Sequence, residues 1–186
     1  MIIRILTSSF RDSVEKRLAE RGDPRPGPHP SKLIDELIKT SLAPLMKDEG
    51  FRKSGPNFWK DSGEWIDVLN IQKSHWNDAW EASFYINIGV YWKAFHRDQG
   101  SEYKSKFPRE CDCTVFSRVQ EPETNSWTLR PDSDLNRIGP LFVKAVQRDA
   151  FLWFKAMHSR EGTLEQLRSL RIEDRFERWL AVRSQA

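Results

Sequence analysis

The side chains of this 186-residue chain best suited to covalent chemistry are two thiols, Cys111 and Cys113, with His75, His96 and His158 elsewhere. A nucleophilic thiol needs a base within hydrogen-bond reach and a lowered pKa. None of these histidines has a diagnostic spacing to either cysteine. On a strand, residues two apart share a face, and a disulfide between them would need strained geometry. Two thiols are also too few for a structural zinc site. They read as reduced, inert thiols of a cytosolic protein. The chain has no P-loop, no dinucleotide fingerprint, no H-E-x-x-H and no G-x-S-x-G. Carboxylate neighbours such as Glu110 with Asp112, or Glu173 with Asp174, read as surface charges. No catalytic residue, metal or cofactor is assigned on these grounds.

The stronger signal is non-covalent. The stretch "LNIQKSHWNDAWEASFYINIGVYW", Leu69 to Trp92, reads as two β-strands that carry Asn70, Gln72, Ser74 and Asn87, where strands usually hold Val or Thr. Alternation puts Phe84, Ile86, Ile88, Val90 and Trp92 on a core face and Tyr85, Asn87, Gly89 and Tyr91 on the other. With Leu69 and Ile71 as core partners, Asn70, Gln72 and Ser74 fall beside Tyr85, Asn87 and Tyr91. In a fourth strand over "CDCTVFSRV", Cys113 and Val115 are expected inward, leaving Thr114, Phe116 and Arg118 outward. Gln72, Ser74, Tyr85, Asn87 and Arg118 are therefore the candidate ligand- or partner-binding residues. Amides offer both donors and acceptors, and Arg118 adds a planar fork suited to carboxylates or phosphates. The competing expectation is the ordinary wet face of an antiparallel sheet.

Two further sets of residues could meet a partner. Arg168, Arg171, Arg175 and Arg178 fall within about 80° of one another on a helical wheel. Such a stripe would attract an acidic partner, RNA or an anionic membrane surface; otherwise its arginines snorkel from a packed helix. In the loop "KSHWNDAW", Lys73, His75, Trp76 and Trp80 could stack bases. Asp78 and Glu81 oppose phosphate there, so both tryptophans are expected to pack over the sheet edge and nucleic acid is not the expected partner.

These residues must be positioned by an ordinary set of elements. From Ser31, apolar positions Leu33, Ile34, Leu37, Ile38, Leu42, Leu45 and Met46 follow helical spacing, with Pro44 expected to kink the helix. Gly50 suits the left-handed residue after it. "NFWKDSGEWIDVLNIQKS" reads as a hairpin turning at Asp61-Ser62-Gly63. Pro140 suits the first position of a later helix, and Thr163 to Gln166 fits a capping box for another. Ile172, Phe176, Trp179 and Leu180 then give a helical stripe. The pattern predicts an α+β fold, with one antiparallel sheet of about four or more strands and N- and C-terminal helices packed mainly on one face.

The whole-chain totals agree. Net charge is +3, from 30 basic and 27 acidic residues, too balanced to imply a nucleic-acid partner. The 8 Trp and 11 Phe supply bulk for a core. Four prolines within "RGDPRPGPHP" mark a linker. Residues 1–29 are expected to form a mobile N-terminal arm, and residues 30–186 a single domain. No stretch approaches the roughly 20 apolar residues of a membrane span, and no signal-peptide core follows "MIIRIL". The expected compartment is the cytoplasm.

The blocks "GFRKSGPNFWKD", "VLNIQKSHW", "FYINIGVYW" and "CDCTVFSRV" resemble a bacterial family known as domain of unknown function 4304. The resemblance covers about Leu33 to Val119 and, more loosely, the helical tail. Its most specific parts are Gly50-Phe51-Arg52-Lys53, Gln72-Lys73-Ser74 and Asn87-Ile88-Gly89-Val90. A Cys-His pair with a following Arg occupies the family's fourth strand; Cys113 and Arg118 match it, and Thr114 stands in place of the His. The resemblance implies a shared fold and no established activity. The expected function is a non-catalytic protein-binding module, such as an immunity or accessory protein to another bacterial protein. The rival is a small enzyme or sensor taking a polar or anionic ligand around Gln72, Asn87 and Arg118. The expected partner is another protein of acidic character.

Overall fold

A computed structural model describes residues 27–119 and 126–183. The first helical region runs as α1 (Pro30–Leu37), a π turn (Ile38–Leu42) and α2 (Ala43–Asp48). His29 caps it, its Nδ1 accepting from the Ser31 amide at 3.2 Å. Pro44 falls at the start of α2, just after the π turn. The expected kink is thus taken up by one widened turn, which accommodates a residue without an N–H.

Six strands follow, interrupted by short helices: β1 (Arg52–Ser54), β2 (Asn57–Asp61), β3 (Trp65–Lys73), β4 (Ala82–Trp92), β5 (Val115–Val119) and β6 (Trp127–Leu129). α3 (Lys93–Asp98) and a 3₁₀ turn (Glu110–Asp112) lie between β4 and β5. The sheet is antiparallel in the order β1-β2-β3-β4-β5, and β6 also pairs with β4. β5 meets β4 over Ile86–Val90 and β6 meets it over Ala82–Phe84. They pair with two successive stretches of the same strand. The hairpin turns where expected: the Ser62 amide donates to the Trp65 carbonyl and the Asp61 carboxylate accepts from the Gly63 amide. Gly63 adopts φ 90°, which a side chain would oppose.

The chain ends in α4 (Leu135–Ala145), a π turn (Val146–Phe151), α5 (Leu152–Met157), α6 (Arg160–Ser169) and α7 (Asp174–Arg183). One sheet face, carrying Phe58, Leu69, Ile71, Phe84, Ile86 and Ile88, is buried against Leu37, Leu42, Phe142, Val146, Phe154 and Phe176 of the helices. Each such side chain contributes about 1.5–3 kcal/mol on burial, so this layer fixes which face of every strand turns inward.

The other face is covered at one end only. Trp59, Ile66, Val68 and Tyr91 form a second cluster, packed by Tyr103, Phe107 and Cys113. Trp59 and Phe107 stack with centroids 4.1 Å apart. The segment between α3 and β5 is thereby anchored over the end of the sheet near Tyr91, leaving the end near Asn87 open.

Several expectations are corrected. Strand β5 starts at Val115, because Cys111 lies in the 3₁₀ turn. Cys113 does not face the main core but packs in the second cluster, while Val115 is inward as expected. Pro140 is inside α4, whose cap is Asp134, so the helix starts a turn and a half earlier than the proline suggested. The cap of α6 is Ser159, not Thr163. Thr163 is fully buried; its hydroxyl donates to the Met157 carbonyl and accepts from Trp92 Nε1. Trp76 is 77% exposed instead of packing on the sheet edge. Most of the expected arm, residues 1–26, lies outside the described residues. Among the described residues no helix is long and apolar enough to cross a membrane.

Candidate functional site

The open end of the outer face is built by strand register. Asn57 pairs with Asn70, Asn70 with Asn87, and Asn87 with Arg118, so one polar residue from each of β2, β3, β4 and β5 stands in a row. One position along, Gln72 pairs with Tyr85. Directly opposed residues on one face are within side-chain reach, and here they bond. Asn70 Nδ2 donates to Asn57 Oδ1 at 2.8 Å. Asn87 Nδ2 donates to Gln72 Oε1 at 2.9 Å and to Asn70 Oδ1 at 3.3 Å. Arg118 Nε donates to Asn87 Oδ1 at 2.9 Å. The Arg118 guanidinium also lies 4.5 Å from the Tyr85 ring centroid, a cation–π contact.

Burial separates two roles within this row. Asn70 and Asn87 are 9% and 6% exposed, so their amides must be satisfied by protein, and they are. Gln72 and Arg118 are exposed. Arg118 spends Nε on Asn87 and its π face on Tyr85, yet forms no ion pair among the described residues. Its two terminal nitrogens are left as donors, in an orientation already fixed.

A groove of about 490 Å³ adjoins this row, lined by Gln72, Asn87, Phe116, Arg118, Gln166 and Leu170, among others. Three consecutive residues, Phe116, Ser117 and Arg118, line it. Alternate strand residues face opposite ways, so the groove follows the edge of β5, with the 3₁₀ turn on one side and α6 on the other. Phe116 is 50% and Leu170 41% exposed. The lining is thus apolar along the edge and polar at the Arg118 end.

Four of the five residues expected at this site come together: Gln72, Tyr85, Asn87 and Arg118. Ser74 does not join them. It lies beyond β3, and its hydroxyl accepts from the Trp76 amide at 3.2 Å, a turn contact. Asn57 and Phe116 were not singled out as site residues. Counting back from the Asp61-Ser62-Gly63 turn would have placed Asn57 opposite Asn70.

The four arginines of the expected stripe do not share one helix. Arg168 lies in the last turn of α6 and pairs with Glu177 at 2.6 Å. Arg171 occupies the turn after α6 at φ 58°. On α7, Arg175 Nε donates to Gln99 Oε1 and its guanidinium lies over Phe95, while Arg178 is exposed.

The sulfur and imidazole groups are placed as structure. Burial, with Asp112 and Glu110 nearby, raises the Cys113 thiol well above its ordinary pKa, which disfavours the nucleophilic thiolate. Cys111 is exposed. His96 is buried and stacks on Tyr91 at 4.0 Å. Its Nδ1 lies 3.2 Å from the Ser101 carbonyl and its Nε2 3.0 Å from the Thr114 hydroxyl. A carbonyl only accepts, so Nδ1 carries the proton and Nε2 accepts from Thr114. That hydroxyl in turn accepts from the Trp92 amide at 3.0 Å. Thr114, which stands where the resembled family places a His, thus works as a local connector. Among the described residues no group of three or more His, Cys, Asp or Glu side chains could hold a metal ion.

A protein-family model described as "Domain of unknown function (DUF4304)" matches residues 42–156. That span runs from the last residue of the first π turn to α5 and contains the whole sheet. No curated protein and no solved structure matches the chain.

Proposed function

The chain belongs to the DUF4304 family of domains of unknown function, and we propose that it is a non-catalytic module that binds another protein through the open end of its outer sheet face. The observation that supports this is the pairing of a pre-oriented Arg118, which forms no ion pair among the described residues, with a half-exposed Phe116 along the β5 edge. Interfaces concentrate their energy in such rigid Arg and aromatic anchors. Asn87 and Tyr85 hold the guanidinium in place before a partner arrives, so less side-chain entropy is lost on binding. The partner's contribution is an acidic side chain against Arg118 and an apolar one against Phe116 and Leu170.

Affinity capture from cells of the source organism tests this, with the wild-type chain and Arg118→Glu side by side. A stoichiometric protein retained by the wild type and lost from a folded Arg118→Glu chain supports the proposal. Equal retention by both overturns it. The rival function, a small enzyme or sensor for a polar or anionic ligand, draws on the groove volume, which falls within the range of small-molecule sites. A metabolite that raises the melting temperature of the wild type and is turned over, with no Arg118-dependent protein, would favour that rival.

A further inference from the structure

Asp67 sits on the core face of β3, between Trp65 and Leu69, and is 4% exposed. A buried carboxylate is costly unless paired, and an apolar pair of similar volume often serves stability as well or better. Its partner is His158, 91 residues away, whose Nε2 lies 2.7 Å from Asp67 Oδ1. A carboxylate only accepts, so the ring donates through Nε2. The imidazole also stacks on Trp65, with centroids 4.4 Å apart and planes 22° apart. Two constraints on one ring leave it a single orientation. Its Nδ1 makes no hydrogen bond among the described residues, and its side chain is 25% exposed.

This ring opens on a pocket of about 450 Å³, away from the groove at β5. Lys93, Arg97, Arg160 and Arg183 also line it, against one acidic lining residue, Glu64. Two of the cations are already engaged: Lys93 with Asp61 at 2.6 Å and Arg183 with Asp98 at 2.8 Å. Arg97 reaches Asp98 only at 3.8 Å. Arg160 makes no side-chain hydrogen bond or ion pair among the described residues. The two arginines with spare donors come from different elements, α3 and α6, and converge on the pocket of the oriented imidazole.

We infer that this pocket is a binding site for a phosphomonoester, held by Arg160 and Arg97 with His158 as a third contact, bound as the imidazolium so that Nε2 stays on Asp67 while Nδ1–H donates to the phosphate. Three donors on separate elements suit a tetrahedral dianion, whereas a carboxylate is satisfied by one planar fork. Asp67 then acts as a positioning residue: it fixes which imidazole nitrogen meets the ligand. The site is independent of the protein-binding surface proposed above.

Nuclear magnetic resonance of the histidine side chains in the full chain tests it, with phenyl phosphate as probe and benzoate as an anion of similar size. Phenyl phosphate should move the His158 ring signals saturably at millimolar concentrations, and benzoate should not. Arg160→Ala removes an exposed side chain outside the core, and should weaken phenyl phosphate binding about tenfold or more, the cost of one charge-assisted contact. His158→Gln should weaken it comparably; should that variant unfold, the Arg160→Ala comparison decides alone. Static His158 signals, equal responses to the two probes, or wild-type affinity in Arg160→Ala would each overturn the inference.

Discussion

Arg118 Nε and Asn87 Oδ1 lie 2.9 Å apart across adjacent strands, and this bond joins an exposed cation to a buried amide. Asn87 is the node: it also bonds Gln72 and Asn70. Its removal leaves the Asn70 carbonyl oxygen short of a donor in a buried place, and such an orphan costs about 1–3 kcal/mol. Asn87→Ala should therefore lower the denaturation midpoint by a corresponding amount. Gln72→Ala, at an exposed position, should change stability by less than about 0.5 kcal/mol. Equal losses from both variants would contradict this division of labour.

Gly89 gives a steric prediction. A Cβ there would lie 2.7 Å from Cys113 Sγ and 2.9 Å from its Cβ. Gly89→Ala forces the segment before β5 off the sheet, and overpacking of this kind costs about 1–3 kcal/mol. Urea unfolding should show the loss, and Cys113→Ala in the same chain should recover part of it by removing the nearer atom.

His96 sets a pH dependence. Burial, its largest influence, lowers its pKa, and Arg175 lowers it further; the Ser101 carbonyl and Asp112 act in the opposite sense. The unfolded chain therefore takes up a proton at a higher pH than the folded one. Stability is at full strength above the unfolded value of about 6.5 and is lost as pH falls through the folded value. The melting temperature should start to fall below about pH 6.5, ahead of the loss from Asp61 and Asp149, whose carboxyls are held below their ordinary values by Lys93 and Arg148. In His96→Gln the decline should be confined to the acidic range of the carboxylates. A profile unchanged by that substitution would assign the transition elsewhere.

The two thiols should differ in reactivity. Cys111 is exposed, whereas Cys113 is half-buried, packed in the second cluster, with a raised pKa. Iodoacetamide near neutral pH should label Cys111 in the folded chain and reach Cys113 only after unfolding, as read by peptide mass spectrometry. Fast labelling of Cys113 in the folded chain would show that the cover over the second cluster opens readily.

How far the sequence alone reached follows from the range of the forces involved. Period-2 alternation in Phe84 to Trp92 is local, and it correctly assigned the two faces of β4 because burying one face fixes register. The same logic places Gln72, Tyr85, Asn87 and Arg118 on one face, where they stand. It failed for Ser74, where the strand ended and a turn claimed the hydroxyl, and for Cys113, where a 3₁₀ turn delayed the start of β5. Pro140 misled because a proline suits a helix start but can also sit inside a helix that tertiary packing stabilises. The arginine stripe dissolved when the left-handed Arg171 split one expected helix into two. What alternation could not reach were contacts set by long-range packing: the groove along the β5 edge, which needs α6 beside it, and the bond of Asp67 to His158. No local pattern links two residues 91 positions apart; the helical layer packing on the sheet brings them together.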